Sequence, residues 1–92
     1  MRLEFEWDEA KARINLTRHK VSFEFATSVF LDPNRIERQD GREDYGEDRY
    51  LTIGLASDQE LVVIYTHRYE NIRLISARKA SRHEQAEYWK DR

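Results

Sequence analysis

Apolar and polar residues follow a two-residue period at the start of the chain and a helical period after it. Residues 3–7 alternate apolar and acidic side chains, which is typical of a strand with one buried face. Asp8 follows where its carboxylate can accept the free N–H groups of a helix start. The apolar spacing then predicts a helix from Glu9 to about Lys20, with a buried face formed by Ala10, Ile14, Thr17 and Val21.

A second helix and a short strand are predicted between residues 22 and 39. Ser22 can cap the helix start, and the expected core-facing residues are Phe23, Ala26, Thr27 and Phe30. Asp32-Pro33 ends this helix, because the residue before a proline is steered out of the helical region. Residues 35–39 are predicted to form an edge strand. Residues 40–48, which are rich in acidic residues and contain two glycines, are predicted to be a mobile loop.

The second half of the chain is predicted to be a three-stranded antiparallel meander followed by a helix. Residues 50–56, 61–66 and 72–78 have strand composition, and turn-forming segments separate them at residues 57–59 and 69–71. Residues 61–65 are apolar on both faces, which predicts a central strand with other elements packed on each side. Ser81 and Glu84 have capping-box spacing and begin a helix whose inward residues should be Ala86 and Trp89.

These elements predict an α+β fold, in which N-terminal helices and a C-terminal helix pack on an antiparallel β-meander sheet. The 92 residues are expected to form a single domain, residues 1–92, because half this length cannot bury a core. The absence of cysteine excludes disulfides, thiolate metal sites and cysteine nucleophiles. The chain shows neither a long apolar run nor a signal peptide, so we expect a cytoplasmic protein without membrane contact.

The net charge of −2 conceals a strong asymmetry along the chain. Residues 1–31 are neutral, residues 32–65 sum to −5, and residues 66–92 sum to +3. Because attraction depends on the local field, the last third can bind an anion while the middle third repels one. The alternative is an ordinary solvated surface of mixed charges.

No sequence pattern indicates a metal or cofactor site. The three histidines, His19, His67 and His83, lack the spacing of metal ligands, and no glycine-rich phosphate loop is present. No serine lies on a recognisable nucleophile elbow. We therefore expect neither a metal nor a cofactor.

Basic residues near the ends of the last two strands are the main candidates for chemistry. Because antiparallel neighbours run in opposite directions, these residues are predicted to form two separate charge centres. Arg68 and Arg73 lie near the turn, whereas Arg78, Lys79 and Arg82 lie at the start of the last helix, whose N–H groups also favour a phosphate. The alternative is that Arg68 and Arg73 flank a solvated turn and that Arg78 pairs with an acid.

The first predicted helix carries a ladder of polar donors. Lys11, Asn15 and His19 recur at intervals of four residues, and Lys11, Asn15 and Arg18 fall outside the predicted apolar face. The alternatives are a solvated helix face, or a role for His19 in capping the helix end, where a cation is favoured.

An ordered set of short motifs covers nearly the whole chain. The motifs are Phe5-x-Trp7-Asp8-x-x-Lys11-x-x-x-Asn15-x-x-x-His19, Val21-x-Phe23-Glu24, Asp32-Pro33, Glu47-x-Arg49, Ile53-Gly54, Thr66-x-Arg68 and Ile72-Arg73-x-Ile75-Ser76-Ala77-Arg78-x-Ala80. Each motif alone is weak, but their order is specific. The set resembles the BrnT family of toxins, which share the fold of the RelE-like ribonucleases.

The resemblance implies an endoribonuclease toxin of a type II toxin–antitoxin system, which cleaves RNA and inhibits translation and growth. It also implies a BrnA-type antitoxin with a ribbon-helix-helix region, and contact with operator DNA only through the antitoxin complex. A requirement for the ribosome and a toxin homodimer within the complex stay open. The implied catalytic residues are Arg68, Arg78, His19 and Glu47. The expected RNA-binding residues, from the resemblance and the charge centres, are Lys11, Arg49, Arg73, Lys79 and Arg82.

These residues fit an RNA cleavage that needs neither metal nor cofactor. The 2′-hydroxyl of the RNA attacks the adjacent phosphate, so the enzyme must align this hydroxyl and stabilise charge on the phosphate oxygens. Arginine suits the second task, because its planar fork matches phosphate oxygens and stays protonated. His19 or Glu47 is expected to take the hydroxyl proton.

A competing interpretation is a binding module of the same fold that grips RNA or a protein without cutting it. The acidic residues in the segment 40–48 favour a basic protein partner and repel RNA. A transcription factor is a poor third interpretation, since nothing in the sequence resembles a helix-turn-helix or a ribbon-helix-helix dimer. Degradation of RNA in excess EDTA distinguishes the enzyme from the binding module.

Overall fold

Nine helices and strands follow one another in the part of the chain that the computed structural model describes, residues 3–41 and 47–90. They are β1 (Phe5–Glu6), α1 (Glu9–His19), α2 (Phe23–Ala26), a 3₁₀-helix (Thr27–Leu31), β2 (Ile36–Asp40), β3 (Arg49–Ala56), β4 (Gln59–Arg68), β5 (Asn71–Lys79) and α3 (Arg82–Trp89). Residues 42–46, on which most of the predicted mobile loop falls, lie outside the described residues.

The five strands form one sheet in the order β1-β5-β4-β3-β2. The antiparallel meander of β3, β4 and β5 is confirmed, as are the central position of β4 and the edge position of β2. β1 pairs in parallel with β5, with Phe5 opposite Ile72 and Glu6 opposite Arg73. The alternating pattern of residues 3–7 predicts a strand but does not specify its partner, because any pairing that buries the same face satisfies it.

Helices cover both faces of the sheet, which explains the apolar character of β4 on each side. On one face α1, α2 and the 3₁₀-helix pack over a core that includes Phe23, Val29, Phe30, Val63, Tyr65 and Leu74. On the other face α3 packs over a smaller core that includes Ile53, Val62, Ile64 and Tyr88. The predicted α+β architecture is therefore confirmed.

All three predicted helix caps form. The side chain of Asp8 accepts the N–H of Lys11, and that of Ser22 accepts the N–H of Phe25. At α3 the capping box is complete, because Ser81 and Glu84 each accept the backbone N–H of the other. The predicted second helix divides into α2 and the 3₁₀-helix.

Most of the residues of the predicted second helix that were expected to face the core are buried. Phe23, Ala26 and Phe30 are buried, whereas Thr27 is only half-buried. The 3₁₀-helix approaches β3 so closely that a Cβ on Gly54 would lie 2.9 Å from Val29 Cγ1. The close contact requires glycine at this position.

The predicted buried face of α1 is wrong for Ala10, Ile14 and Thr17, which are exposed, whereas Val21, just after the helix, is buried as predicted. Ile14 is 57% exposed, whereas Asn15, which was expected on the polar ladder, is 6% exposed. The helix turns its Ala12 and Asn15 side toward the sheet. The physical reason is that the Asn15 carboxamide is fully used: Nδ2 donates to Ala77 O at 2.8 Å and Val21 O at 3.0 Å, and Oδ1 accepts from Ala77 N at 3.1 Å. Asn15 thus binds the backbone edge of β5 as a neighbouring strand would.

The predicted inward face of α3 is also wrong by one residue. Ala86 is exposed and Trp89 is 47% exposed, whereas Tyr88 is 1% exposed. The helix register is fixed by the capping box at Ser81, which places Gln85 and Tyr88 rather than Trp89 toward the sheet. Trp89 lies at the rim, where its indole Nε1 donates to Glu60 at 2.8 Å.

Candidate functional site

Five arginines project from the same face of the sheet, the face that α3 covers in part. Side chains alternate along a strand, and directly opposed residues of neighbouring strands point to the same side. Val62 and Ile64 of β4 contact α3, so Thr66 and Arg68 further along β4 share that side. We call this surface the arginine face; its arginines are Arg38, Arg49, Arg68, Arg73 and Arg78.

The cross-strand register assigns the other four arginines to this face. Arg78 lies opposite Val62, and Arg73 lies opposite Thr66. Leu51 lies opposite Ile64, so Arg49, two residues before Leu51, also points to this side. Arg38 of β2 lies opposite Leu51 and completes the set.

One end of the arginine face, beside the β4–β5 hairpin, brings together four of the residues predicted from the sequence: Glu47, Arg49, Arg68 and Arg73. The chain before β3 lies over this end, because Thr66 Oγ1 donates to the carbonyl of Asp48 at 2.6 Å. The Glu47 carboxylate lies 3.6 Å from Arg49 Nε. We call this region the hairpin end.

Glu6 holds Arg73 in place at the hairpin end. Its carboxylate accepts from Arg73 Nη1 at 2.7 Å and from Asn71 Nδ2 at 3.0 Å. The Asn71 hydrogen bond and then the Arg73 hydrogen bond lower the pKa of Glu6, which favours its ionised form. β1 therefore contributes a carboxylate that fixes one cation of the site.

Within the described residues, Arg68 differs from the other arginines of this face because it forms no ion pair with a carboxylate, although its charge helps to lower the pKa of Glu6. Arg38 pairs with Glu87 at 2.5 Å, Arg49 with Glu47 at 3.6 Å, Arg73 with Glu6 at 2.7 Å and Arg78 with Glu84 at 2.7 Å. Within residues 3–41 and 47–90, Arg68 makes no ion pair, and it is exposed. Its charge is thus the least compensated of the five.

Arg78 lies at the opposite end of the face, fixed to the start of α3. Its Nη1 and Nη2 donate to the two carboxylate oxygens of Glu84 at 2.7 and 2.8 Å. This pairing, with the Ser81 hydrogen bonds, lowers the pKa of Glu84 to about 2. Glu84 therefore both caps α3 and orients the Arg78 guanidinium.

The two predicted charge centres are well separated. Arg68 lies opposite Asn71, whereas Arg78 lies opposite Val62, six positions back along β4. At about 3.3 Å per residue this separation is about 20 Å. Arg68 is therefore not beside the α3 start, where Arg82 is exposed. Lys79 lies opposite Leu61 and points to the other face of the sheet, away from Arg78.

Lys11 and His19 lie away from the hairpin end. They line a shallow groove between α1 and β5, together with Ile14, Asn15, Arg18, Ile75 and Ser76. Neither Glu47 nor Arg68 lines this groove. The nine sequence-predicted residues thus occupy separate places rather than one pocket.

His67 and Tyr69, to which the sequence assigned no role, lie at the same end of the sheet as Arg68. The His67 ring packs edge-on against Tyr50 and Tyr65, at centroid distances of 5.4 and 5.7 Å, on the face opposite Arg68. Tyr69 is 98% exposed at the hairpin tip. The structure places Tyr69 in a two-residue loop between Arg68 and Asn71. The sequence indicated this exposure only through the turn predicted at residues 69–71.

Metal-binding groups and membrane-spanning helices are absent from the part of the chain that the structure describes. Among residues 3–41 and 47–90, no group of three or more histidine, aspartate or glutamate side chains is arranged to hold a metal ion. None of the helices in these ranges is long and apolar enough to cross a membrane.

Comparison with known proteins gives one family. None of the curated proteins compared with the chain matches it. The family model described as the ribonuclease toxin BrnT of type II toxin–antitoxin systems matches residues 7–84. This match spans α1, the strands of the arginine face and the start of α3. The chain therefore belongs to the BrnT family of ribonuclease toxins of type II toxin–antitoxin systems.

Proposed function

We propose that this chain, as one cytoplasmic domain, is a metal-independent endoribonuclease that cleaves RNA and thereby inhibits translation and growth. The family membership supports the ribonuclease activity. The observation that carries the mechanism is the hairpin end, where Arg68, which makes no ion pair within the described residues, shares one end of the arginine face with the Glu47–Arg49 pair. A cation can stabilise charge on the phosphate oxygens, and a carboxylate can accept the hydroxyl proton.

The reaction begins with attack of a 2′-hydroxyl oxygen on the adjacent phosphorus. The new bond joins the 2′-oxygen to phosphorus, and the bond from phosphorus to the 5′-oxygen of the next nucleotide breaks. The 2′-hydroxyl proton goes to a protein base, and the departing 5′-oxygen takes a proton from water, so that the protein gains one proton and the solvent loses one. The products are a 2′,3′-cyclic phosphate and a 5′-hydroxyl end.

Arg68 is the proposed electrostatic catalyst. Its guanidinium can bind two non-bridging phosphate oxygens at once and stabilise the charge that builds on them during attack. Glu47 is the proposed proton acceptor, because its carboxylate is 45% exposed and lies on the same end of the sheet. His19 is a weaker candidate for this step, because it lies in the groove between α1 and β5.

Arg78 is proposed to bind a second part of the RNA strand. It lies about 20 Å from Arg68 along β4, so one phosphate cannot contact both. Its bidentate pairing with Glu84 keeps the guanidinium in one orientation, with Arg82 beside it at the start of α3. Arg49 and Arg73 are proposed RNA contacts at the hairpin end. Lys11, in the groove between α1 and β5, and Lys79, on the other face of the sheet, are proposed to bind RNA away from the hairpin end.

A BrnA-type antitoxin with a ribbon-helix-helix region is the proposed partner, and operator DNA is proposed to be bound only through this complex. The sequence between residues 32 and 65 sums to −5, which complements a basic partner and not RNA. A toxin homodimer within the complex and an RNA substrate associated with the ribosome are compatible with the proposal but are not part of it.

The experiment that tests this function is an RNA cleavage assay with the purified protein in excess EDTA. We expect cleavage to persist at an unchanged rate, to yield cyclic phosphate ends, and to stop when the RNA carries 2′-O-methyl groups. Loss of activity in EDTA that magnesium or manganese restores would overturn the metal-free mechanism.

One observation favours a second candidate, a non-catalytic binding module. Four of the five arginines on the arginine face are paired with glutamates, so most of its charge is compensated within the protein. Such a surface also suits a protein partner. Tight binding of RNA or antitoxin without cleavage under any tested condition would support this candidate.

A further inference from the structure

The hairpin between β4 and β5 presents a tyrosine to solvent in an unusual backbone conformation. Arg68 pairs with Asn71, so only Tyr69 and Glu70 form the loop. Tyr69 has a φ of 57°, in the left-handed region that bulky residues rarely adopt. Its side chain is 98% exposed. Neither backbone preference nor core packing accounts for an aromatic ring at this position.

The other hairpin of the meander shows what the turn itself requires. Ala56 pairs with Gln59 across a two-residue loop, and the first loop residue, Ser57, has a φ of 56°. The same loop length and nearly the same φ are thus formed with a small polar side chain. The ring of Tyr69 is not needed to form its hairpin.

Two arginines lie near Tyr69, and arginine is a residue type that binds nucleic-acid phosphates, whereas the other loop residue, Glu70, is acidic and exposed. Arg68 precedes it and makes no ion pair within the described residues, and Arg73 lies behind it on β5. Proteins that bind single-stranded RNA combine cations for the phosphates with aromatic rings on which unpaired bases stack. An exposed ring adjacent to an exposed arginine that makes no ion pair within the described residues can provide both interactions.

We propose that Tyr69 and Arg68 form a subsite for single-stranded RNA, in which the Tyr69 ring stacks on an unpaired base and Arg68 binds an adjacent phosphate. This inference rests on the proposed function and specifies its substrate as unpaired RNA. Bases within a duplex are already stacked on their neighbours, so the ring gains no contact with them. The subsite holds the strand at the hairpin end, next to the groups proposed for cleavage.

The test uses the full chain and a fluorescently labelled, single-stranded 2′-O-methyl RNA, which cannot be cleaved by 2′-hydroxyl attack. Tyr69→Ser copies the residue of the other hairpin, so it removes the ring while keeping a side chain that this turn accepts. Tyr69→Phe keeps the ring. Ser57→Tyr, the matched control, places an exposed tyrosine on the opposite hairpin, away from Arg68. Affinity is measured by fluorescence anisotropy across several salt concentrations.

We expect Tyr69→Ser to weaken binding about 5- to 30-fold with an unchanged salt slope, because stacking involves no counterion. Tyr69→Phe and Ser57→Tyr should bind like the wild type. Arg68→Ala should weaken binding and reduce the salt slope by about 0.7, the value for one phosphate contact on a single strand. A duplex of the same sequence should show no difference between wild type and Tyr69→Ser.

Two results overturn the subsite. One is a Tyr69→Ser variant with wild-type affinity for the single strand, and the other is a variant that loses antitoxin binding instead of RNA binding. Failure of the proposed nuclease activity can be distinguished from failure of the subsite. If the wild-type protein binds the single strand through Tyr69 but never cleaves unmodified RNA, only the nuclease activity is refuted.

Discussion

The hydroxyl of Tyr88 donates to Asp32 Oδ2 at 2.5 Å, and the same oxygen accepts the backbone N–H of Leu55 at 2.9 Å. One carboxyl group thereby joins α3, β3 and the segment that follows the 3₁₀-helix. Asp32 precedes Pro33, whose fixed backbone helps to hold the carboxyl in place. The docking of α3, and with it the position of Glu84 beside Arg78, depends on this contact.

Tyr88 should therefore contribute far more to stability than Trp89. Tyr88→Ala should lower the free energy of unfolding by about 3–5 kcal/mol, because it empties a fully buried site. Tyr88→Phe removes only the hydroxyl and should cost about 1–3 kcal/mol. Trp89→Ala should cost about 1 kcal/mol, since the indole is 47% exposed. Urea unfolding measures all three, and a larger loss for Trp89→Ala than for Tyr88→Ala would contradict this helix register.

Asn15 should be intolerant of even an isosteric change. Asn15→Asp replaces the Nδ2 donor with an oxygen that faces the carbonyls of Val21 and Ala77, so we expect a loss of about 3–5 kcal/mol at neutral pH. Burial raises the pKa of the new carboxyl, so this loss should shrink as the pH falls and the group becomes protonated.

Asn15→Ala is the matched control, because it leaves the same backbone groups unpaired without adding a charge. It should cost about 2–4 kcal/mol with little dependence on pH. If both variants melt like the wild type, α1 does not dock through this amide.

The pairing of Glu84 with Arg78 should make stability depend on pH in acid. The pKa of Glu84 is about 2 in the folded protein and 4.5 without its partners, so the ionised form is favoured by folding. The resulting stability is fully present above about pH 4.5 and is lost as the pH falls toward 2. Because the pair is partly exposed, we expect it to contribute about 1–2 kcal/mol.

Urea unfolding at several pH values between neutrality and acid checks this dependence. In Glu84→Gln the stability at neutral pH should fall, and the acid-dependent loss should be smaller by the same amount. An unchanged acid profile in Glu84→Gln would show that other carboxyl groups control the acid stability.

Arg68 and Arg78 should both be needed for toxicity, but for different reasons. Arg68→Ala should abolish growth inhibition with an unchanged melting temperature, since Arg68 pairs with no described carboxylate and its loss removes about 3–4 kcal/mol of barrier stabilisation. Arg78→Ala should abolish it too, but with reduced stability, because Glu84 loses its partner.

Arg68→Lys should be partly active, because lysine keeps the charge but lacks the planar fork. Arg13→Ala is the control, because Arg13 is exposed on α1 and lies outside the proposed site. Growth curves after induction, with thermal melts of the purified variants, distinguish these outcomes. A folded Arg68→Ala variant that remains fully toxic would place the active site elsewhere.

The sequence predicted those parts of the fold that local patterns encode. The apolar run in β4 and the caps at Asp8, Ser22 and Ser81 depend on neighbouring residues, and all are confirmed. The alternation of residues 3–7 also indicated a strand, but only Phe5–Glu6 form one. Asn15 and Tyr88 could not be assigned in this way. Each is buried because its polar group meets a partner 56 or 62 residues away, which helical spacing does not reveal.

The arrangement of the candidate residues could not be predicted from the sequence. The motifs pointed to Arg68, Arg78 and His19 as candidates, but only the sheet register shows that the two arginines share one face, while His19 lies in the groove beside α1. The bulge between Ile64 and Tyr65 shifts this register by one residue, and single bulges leave no clear mark in a sequence. The exposure of Tyr69 likewise follows from the hairpin and not from its residue type.

The contacts that anchor the N-terminal segment to β5 join distant parts of the chain. Glu6 and Arg73 are 67 residues apart, and Asn15 and Ala77 are 62 residues apart. Closing such long loops costs chain entropy before any contact forms, and during synthesis the later partner emerges last. α1 therefore has no docking site, and the arginine face lacks Arg73 and Arg78, until β5 has left the ribosome. The arginine face is therefore completed only after β5 has been synthesised.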